Sequence, residues 1–153
     1  MCKNPKNLTK HLESLLRQNS DLQKEIDKLL KDKAKNLKSE LLASSKNING
    51  VNFIASKINL DSSDAIKDLA FQMRSEVDNL FMVLGAEVKG KPNLTVVVSE
   101  SLVKEKGLNA GAIIRELAKE IQGGGGGQPF YATAGGKNIS GLDNALKKAE
   151  SLV

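Results

Sequence analysis

Apolar residues recur at alternating steps of four and three through the first part of the chain: Leu8, Leu12, Leu15, Leu22, Ile26 and Leu29, with Asn19 at the one polar place in the row. That spacing predicts a helix with a single seam, as in a coiled coil or an antiparallel helix pair, where one polar residue sets register or oligomeric state at some cost in stability. After Leu29 the next seam position is Lys33, while Leu30, Ala34, Leu37 and Leu41 carry the stripe onward one residue out of phase. The pattern predicts a helical, coiled-coil-like arm over residues 1–45, roughly 60 Å long at the rise of an α-helix. Its apolar face has two partners open to it, a second copy of the chain and the chain's own globular part.

Beyond the arm the period changes. Residues 44–50, Ser-Ser-Lys-Asn-Ile-Asn-Gly, carry turn chemistry and mark a boundary. Val51 to Ile58 is rich in β-branched and apolar side chains and predicts a strand. One of Asp61, Ser62 and Ser63 caps the next helix, whose stripe is Ile66, Leu69, Ala70, Met73 and Val77. Leu80 to Val88 is nearly continuous in apolar residues and could prolong that helix, but the turn residues Lys89 to Asn93 and the run Leu94 to Val98 favour a hairpin. Asn109 caps a helix over Ala110 to Ile121, Phe130 to Ala134 alternates like a short strand, and Ser140 with Asp143 opens a last helix carrying Leu142, Ala145, Leu146 and Ala149. The expected globule, 46–153, is α+β, with a mixed sheet of about four strands starting near 51, 80, 94 and 129 and three helices starting near 62, 109 and 141.

The most unusual segment is Gly123, Gly124, Gly125, Gly126 and Gly127, followed by Gln128-Pro129-Phe130-Tyr131. Glycine loses more backbone freedom on folding than any other residue, so such a run is an entropic burden that needs a compensating use. A flexible linker is one reading, but the residues after it are too few to bury a core of their own. An ordered loop at 123–127, where missing Cβ atoms let another backbone, a base or a phosphate come close, fits better. P-loops and dinucleotide turns run glycines into a helix N-terminus, whereas here they leave a helix. No Walker lysine follows, and Gln128 stands where the last dinucleotide glycine belongs. Arg115, Lys119 and Lys137 flank the run and suit phosphate contact, although Arg115 and Lys119, four apart on a helix, equally suit a solvated face. Phe130 and Tyr131 fall on opposite faces of a strand, one in the core and one free to stack on a base.

The net charge of +5 is uneven: residues 1–45 hold ten Lys/Arg against six Asp/Glu, so most of the excess lies in the arm. This balance is compatible with RNA without requiring it. With four Phe, one Tyr and no Trp, a broad base-stacking platform is not expected. A single Cys2 and a single His11 supply neither a disulfide nor a zinc site by themselves, and both read as ordinary residues. No Ser/His/Asp or Cys/His constellation is identifiable. No apolar run reaches the roughly 20 residues of a membrane span. Met1 to Lys10 is too polar for a signal peptide, so the expected setting is cytoplasmic.

The glycine run, Pro129, the Ala132-Thr133-Ala134-Gly135-Gly136 step and the closing helix together resemble the C-terminal, DHH-associated domain of the alanyl-tRNA synthetase family. Asn4-Pro5-Lys6-Asn7-Leu8 and the leucine-periodic helix are similar to the segment that links the editing domain to it. The resemblance implies a domain that contacts the outer corner of alanine-specific tRNA and helps aminoacylation and editing act on one bound tRNA, with oligomerisation through the helical arm (Leu12, Leu15, Asn19, Leu22, Ile26, Leu29). It also implies that this piece carries no cofactor and no catalysis, while the parent ligase would use ATP, Mg and Zn. The RNA contact would involve the glycines, Gln128, Tyr131, Lys119, Arg115 and Lys137. The same small domain accompanies DHH-type phosphoesterases, whose members often have a His beside the glycines; Gln128 and Pro129 stand there instead. A substrate-binding domain of such a phosphoesterase, acting on short or single-stranded nucleic acid, is one alternative. A module that binds only protein is the other.

Overall fold

The computed structural model describes residues 5–153; Cys2 and Asn4 lie outside the described residues. The chain divides into two units, Met1–Asn36 and Leu37–Val153. Helix α1 runs from Pro5 to Ala43. In the first unit the predicted seam is helical and uncovered: Leu8, Leu12, Leu15, Leu22, Ile26 and Leu29 expose 47% to 61% of their surface, and Asn19 is exposed beside them. In the second unit the out-of-phase stripe meets apolar partners, with Leu37 half-buried and Leu41 buried.

The second unit is built on a sheet of six strands, more than the four expected: β1 (Lys46–Ile48), β2 (Val51–Ile58), β3 (Leu80–Val88), β4 (Lys91–Val98), β5 (Gly124–Gln128) and β6 (Tyr131–Gly135), in the order β1-β2-β3-β4-β6-β5. β2 and β3 are parallel, joined by the crossover helix α2 (Ser63–Glu76), and every other neighbouring pair is antiparallel. Three further helices follow, α3 (Glu100–Glu105), α4 (Ala110–Glu120) and α5 (Gly141–Glu150). Side chains of successive strand residues point to opposite faces, so the sheet carries two cores. Phe53, Phe81, Val83, Val96 and Ala132 pack with Ile114, Leu117, Leu142 and Ala145. Ile54, Leu80, Met82 and Leu84 pack with Ile66, Leu69 and Met73 of α2 and with Leu41. β3 is buried on both faces, which explains why its sequence is continuously apolar and also readable as helix.

Several expectations need correction. The boundary segment contains β1, which pairs with β2 across Asn49 and Gly50, both at positive φ (51° and 82°). That is the Asn-Gly hairpin turn, whose backbone twist matches the strands it joins. Lys89 and Gly90 form an equivalent turn at φ 52° and 74°, so Lys91, Pro92 and Asn93 belong to a strand. Helix α3 was not expected. Of the three possible caps for α2, Ser62 serves, its Oγ accepting from the Ala65 N–H at 3.4 Å. Asn109 caps α4 as expected, Oδ1 accepting from the Ala112 N–H at 3.1 Å. Ser140 does not cap α5, because its hydroxyl donates to Asn138 Oδ1 at 2.6 Å.

The glycine run is an edge strand and not a loop. Pro129 and Phe130 make a two-residue turn, so β6 begins at Tyr131. A Cβ at Gly123, Gly125 or Gly127 would lie 1.9, 2.2 or 2.4 Å from a carbonyl oxygen of β6. On its other side β5 meets α4: the Ala110 N–H donates to Pro129 O at 2.8 Å, and a Cβ on Gly111 would come within 3.0 Å of Gly127 O. The compensating use is therefore backbone-to-backbone packing, for which only glycine leaves room.

This geometry makes the glycines unequal. Gly124 has nothing within 4 Å of a Cβ, whereas one at Gly125 would sit inside the contact distance of Thr133 O. Gly125→Ala should cost about 2–3 kcal/mol, in the range of overpacked sites. Gly124→Ala should stay within about 0.5 kcal/mol of the parent. Urea unfolding of the two variants checks this, and equal stabilities would contradict the close packing of β5.

Candidate nucleic-acid interface

The hairpin of β5 and β6 has two ends, and different residues collect at each. At its open end lies a groove of about 750 Å³, lined by the β3–β4 turn (Val88, Gly90, Lys91), by Pro92 and Asn93, by Gln122 and Gly123 where β5 starts, and by Gly135, Gly136 and Lys137 where β6 ends. Local backbone chemistry builds that wall. Gln122 takes φ 51° to end α4, the Gly123 N–H returns to Ala118 O at 2.9 Å, and the N–H groups of Lys137 and Asn138 both donate to Ile121 O, at 2.9 and 3.0 Å. A Cβ on Gly136 would stand 2.2 Å from that same Ile121 oxygen.

Lys91 and Lys137 in the groove wall and Lys89 in the adjoining turn are exposed, and among the described residues none of them forms an ion pair. Lys119 differs. Its ammonium lies 2.7 Å from Glu116, a carboxylate held below the usual range by its hydrogen bond to Lys119 and by the charges of Lys119 and Lys148. Lys148 in turn pairs with Glu120 at 3.2 Å. Lys119 is thus ion-paired on its own helix, whereas among the described residues Lys137 is not. Arg115 is exposed on α4, with Nη2 4.0 Å from the Cβ that Gly126 lacks. Lys89, Lys91, Gln122 and Gly136 were absent from the expected contact set. The Lys-Gly-Lys spacing of the β3–β4 turn was visible, but nothing local tells that this turn faces the glycines.

Two backbone donors of β5 are turned away from β6. Phe130 O accepts from the Val98 N–H at 3.0 Å and Pro92 O accepts from the Gly136 N–H at 3.1 Å. Antiparallel alternation then directs Ala132 and Ala134 to β4, and Tyr131, Thr133 and Gly135 to Gln128, Gly126 and Gly124 of β5. The N–H groups of Gly125 and Gly127 accordingly point away from β6, and both residues are exposed.

Gln128 and Tyr131 sit at the other end of the hairpin, about 13 Å along β6 from the groove. Tyr131 is the core member of the aromatic pair: it packs against the α2 core and its ring stacks on Phe71, centroids 5.1 Å apart. Phe130 lies on the turn beneath the Arg74 guanidinium, 4.5 Å from its ring centroid. The expected site residues thus do not converge on one spot. Among the described residues no three of His, Cys, Asp and Glu stand close enough to hold a metal ion. No described helix is long and apolar enough to cross a membrane.

Residues 50–153 match the family described as the DHHA1 domain. Over 151 residues the chain is 56% identical to an alanine–tRNA ligase of Christiangramia forsetii, covering 99% of this chain and 17% of that protein. It is 48% identical over 153 residues to the alanine–tRNA ligase of Cytophaga hutchinsonii, covering 100% of this chain and again 17% of the relative. The fold is that of the crystal structure of the C-Ala domain from Aquifex aeolicus alanyl-tRNA synthetase, with a TM-score of 0.63 and 23% identity, over 70% of this chain and 95% of that one.

Half-burial raises the Tyr131 phenol above its ordinary 10.0, because the phenolate loses hydration. A folded-state value raised above the unfolded one means stability that is full below pH 10 and falls as pH rises through the raised value. As Tyr131 is the one tyrosine, an alkaline absorbance titration should give a midpoint above 10.0, and Phe71→Ala should move it back down. A parent midpoint at or below 10.0 would contradict the packing described.

Proposed function

The chain belongs to the DHHA1 domain family, and from that premise we propose that it is the tRNA-binding, C-terminal portion of a cytoplasmic alanine–tRNA ligase. It binds and does not react; the ATP, Mg and Zn chemistry of the whole ligase resides in other domains. One observation carries the reading on this chain's own surface: a groove beside the glycine hairpin whose two lysines, Lys91 and Lys137, have no carboxylate partner among the described residues, with Lys89 in the adjoining turn equally without one. Unpaired ammonium groups beside glycine backbone suit a sugar–phosphate strand, which a rigid concave wall reads by shape more than by base sequence. The outer corner of tRNA, where two loops meet, is the part of the molecule with such a shape, and holding it keeps one tRNA in place for aminoacylation and editing.

The identity of the relatives supports this reading over a phosphoesterase substrate domain, since the chain aligns from end to end with proteins named as alanine–tRNA ligases. Self-association belongs to the same proposal. The stripe of Leu12, Leu15, Leu22, Ile26 and Leu29 is uncovered in a single chain, and its seam spacing suits a second copy.

Intact tRNA should bind more tightly than an acceptor-stem minihelix, which lacks the corner. Lys91→Glu and Lys137→Glu should each weaken binding and flatten the log–log salt dependence by about one unit, since each removes a phosphate partner. Equal affinity for the two RNAs, with both variants unchanged, would refute the groove as the contact. For the arm, sedimentation should find a larger species for the parent and monomer for Leu22→Asp/Ile26→Asp, which places charges in the apolar seam. Monomer for both would exclude pairing through this face.

A further inference from the structure

Of the aromatic residues, Phe53 and Phe81 stack on each other in the core, with centroids 5.5 Å apart. The other three, Phe71, Phe130 and Tyr131, meet at the surface together with Arg74. Phe71 exposes 37% of its surface while one face of its ring rests on Tyr131. Arg74 lies 4.5 Å over Phe130 and 5.9 Å from the Phe71 centroid, and its guanidinium is paired with Glu100 at 2.7 Å. The cluster is brought together by α2 and the β5–β6 turn, elements some sixty residues apart in sequence.

We propose that Phe71, Phe130 and Arg74 form a stacking site for one unpaired nucleobase of the bound RNA, separate from the lysine groove. This rests on the RNA-binding reading above. Three physical points select the occupant. Two part-exposed rings offer an area on the order of 100 Å², which suits a base and falls far short of the ~800 Å² per partner of a standard protein interface. The Arg74 charge is already balanced by Glu100, so the cluster supplies flat π faces and not a free cation for phosphate. The site also continues from the groove along one rigid hairpin, about 13 Å away, so a strand lying in the groove can reach it. Stacking on aromatic and guanidinium planes is how unpaired bases are held when sequence is not being read.

The chain has one tyrosine and no tryptophan, so its intrinsic fluorescence reports Tyr131, directly under Phe71. Single-stranded oligoadenylate should alter that emission, and an abasic oligomer of equal length should not. Phe71→Leu, which keeps apolar bulk but removes the π face, should weaken oligoadenylate binding about tenfold, and Phe71→Trp should restore it. The salt slope should be the same in all three, because no phosphate contact is lost, whereas Lys91→Glu and Lys137→Glu change it. If Phe71→Leu binds oligoadenylate like the parent and the emission does not respond, the stacking site is refuted even though the lysine variants still weaken tRNA. If the parent binds neither tRNA nor oligoadenylate at low salt, the RNA-binding reading itself fails.

Discussion

Three stretches of backbone pack against one another with almost no side chains between them, and the position of every candidate contact follows from that. β5 lies between β6 and α4 at distances where a Cβ on Gly123, Gly125 or Gly127 would overlap a carbonyl. The same close approach recurs where Gly136 and Gly141 meet the last residues of α4, with a Cβ 2.2 Å from Ile121 O and 1.9 Å from Glu120 O. Dense packing of this kind tolerates little displacement. The hairpin is therefore a stiff element, and it sets the spacing between the groove at its open end and the aromatic cluster at its turn.

Charge around the hairpin is sorted by local pairing. On α4 and α5, Glu116 and Glu120 hold Lys119 and Lys148 in ion pairs. Arg74 is tied to Glu100, and Lys38 of α1 to Glu76 of α2. Exposed pairs of this sort contribute little to stability, but they remove cations from the set available to an anionic ligand. Among the described residues Arg115, Lys89, Lys91 and Lys137 stay outside these ion pairs, and Lys91 and Lys137 line one concave wall. The sequence places most of the net charge in the arm, so its charge balance does not point to this wall.

Helix α1 carries two apolar stripes with different fates. The later one ends in Leu37 and Leu41, which join the sheet's second core. The earlier seam remains exposed along its length. A one-residue change of phase is enough to separate them, because a helix turns about 100° per residue and a displaced stripe faces another direction.

The amino-acid sequence by itself determined the elements with strong periodicity: the arm and its change of phase, the apolar stripe of α2, the strand at Val51, and the Asn109 cap, all of which depend on neighbours within a few residues. It also carried the family resemblance, in the order of glycines, Pro129 and the small-residue step. β1 was legible in principle through Asn49-Gly50, the usual hairpin signal, but its three residues were too few to show alternation. Glycine has no side chain to alternate, so β5 was invisible to any pattern of polar and apolar positions. Only tertiary structure decided that the glycines serve backbone packing, that Tyr131 and not Phe130 joins the core, and which lysines stand unpaired. Each of those outcomes depends on groups far apart in the chain, such as Phe71 with Tyr131 or Lys91 with Gly136, and a contact of that kind leaves no trace in local spacing.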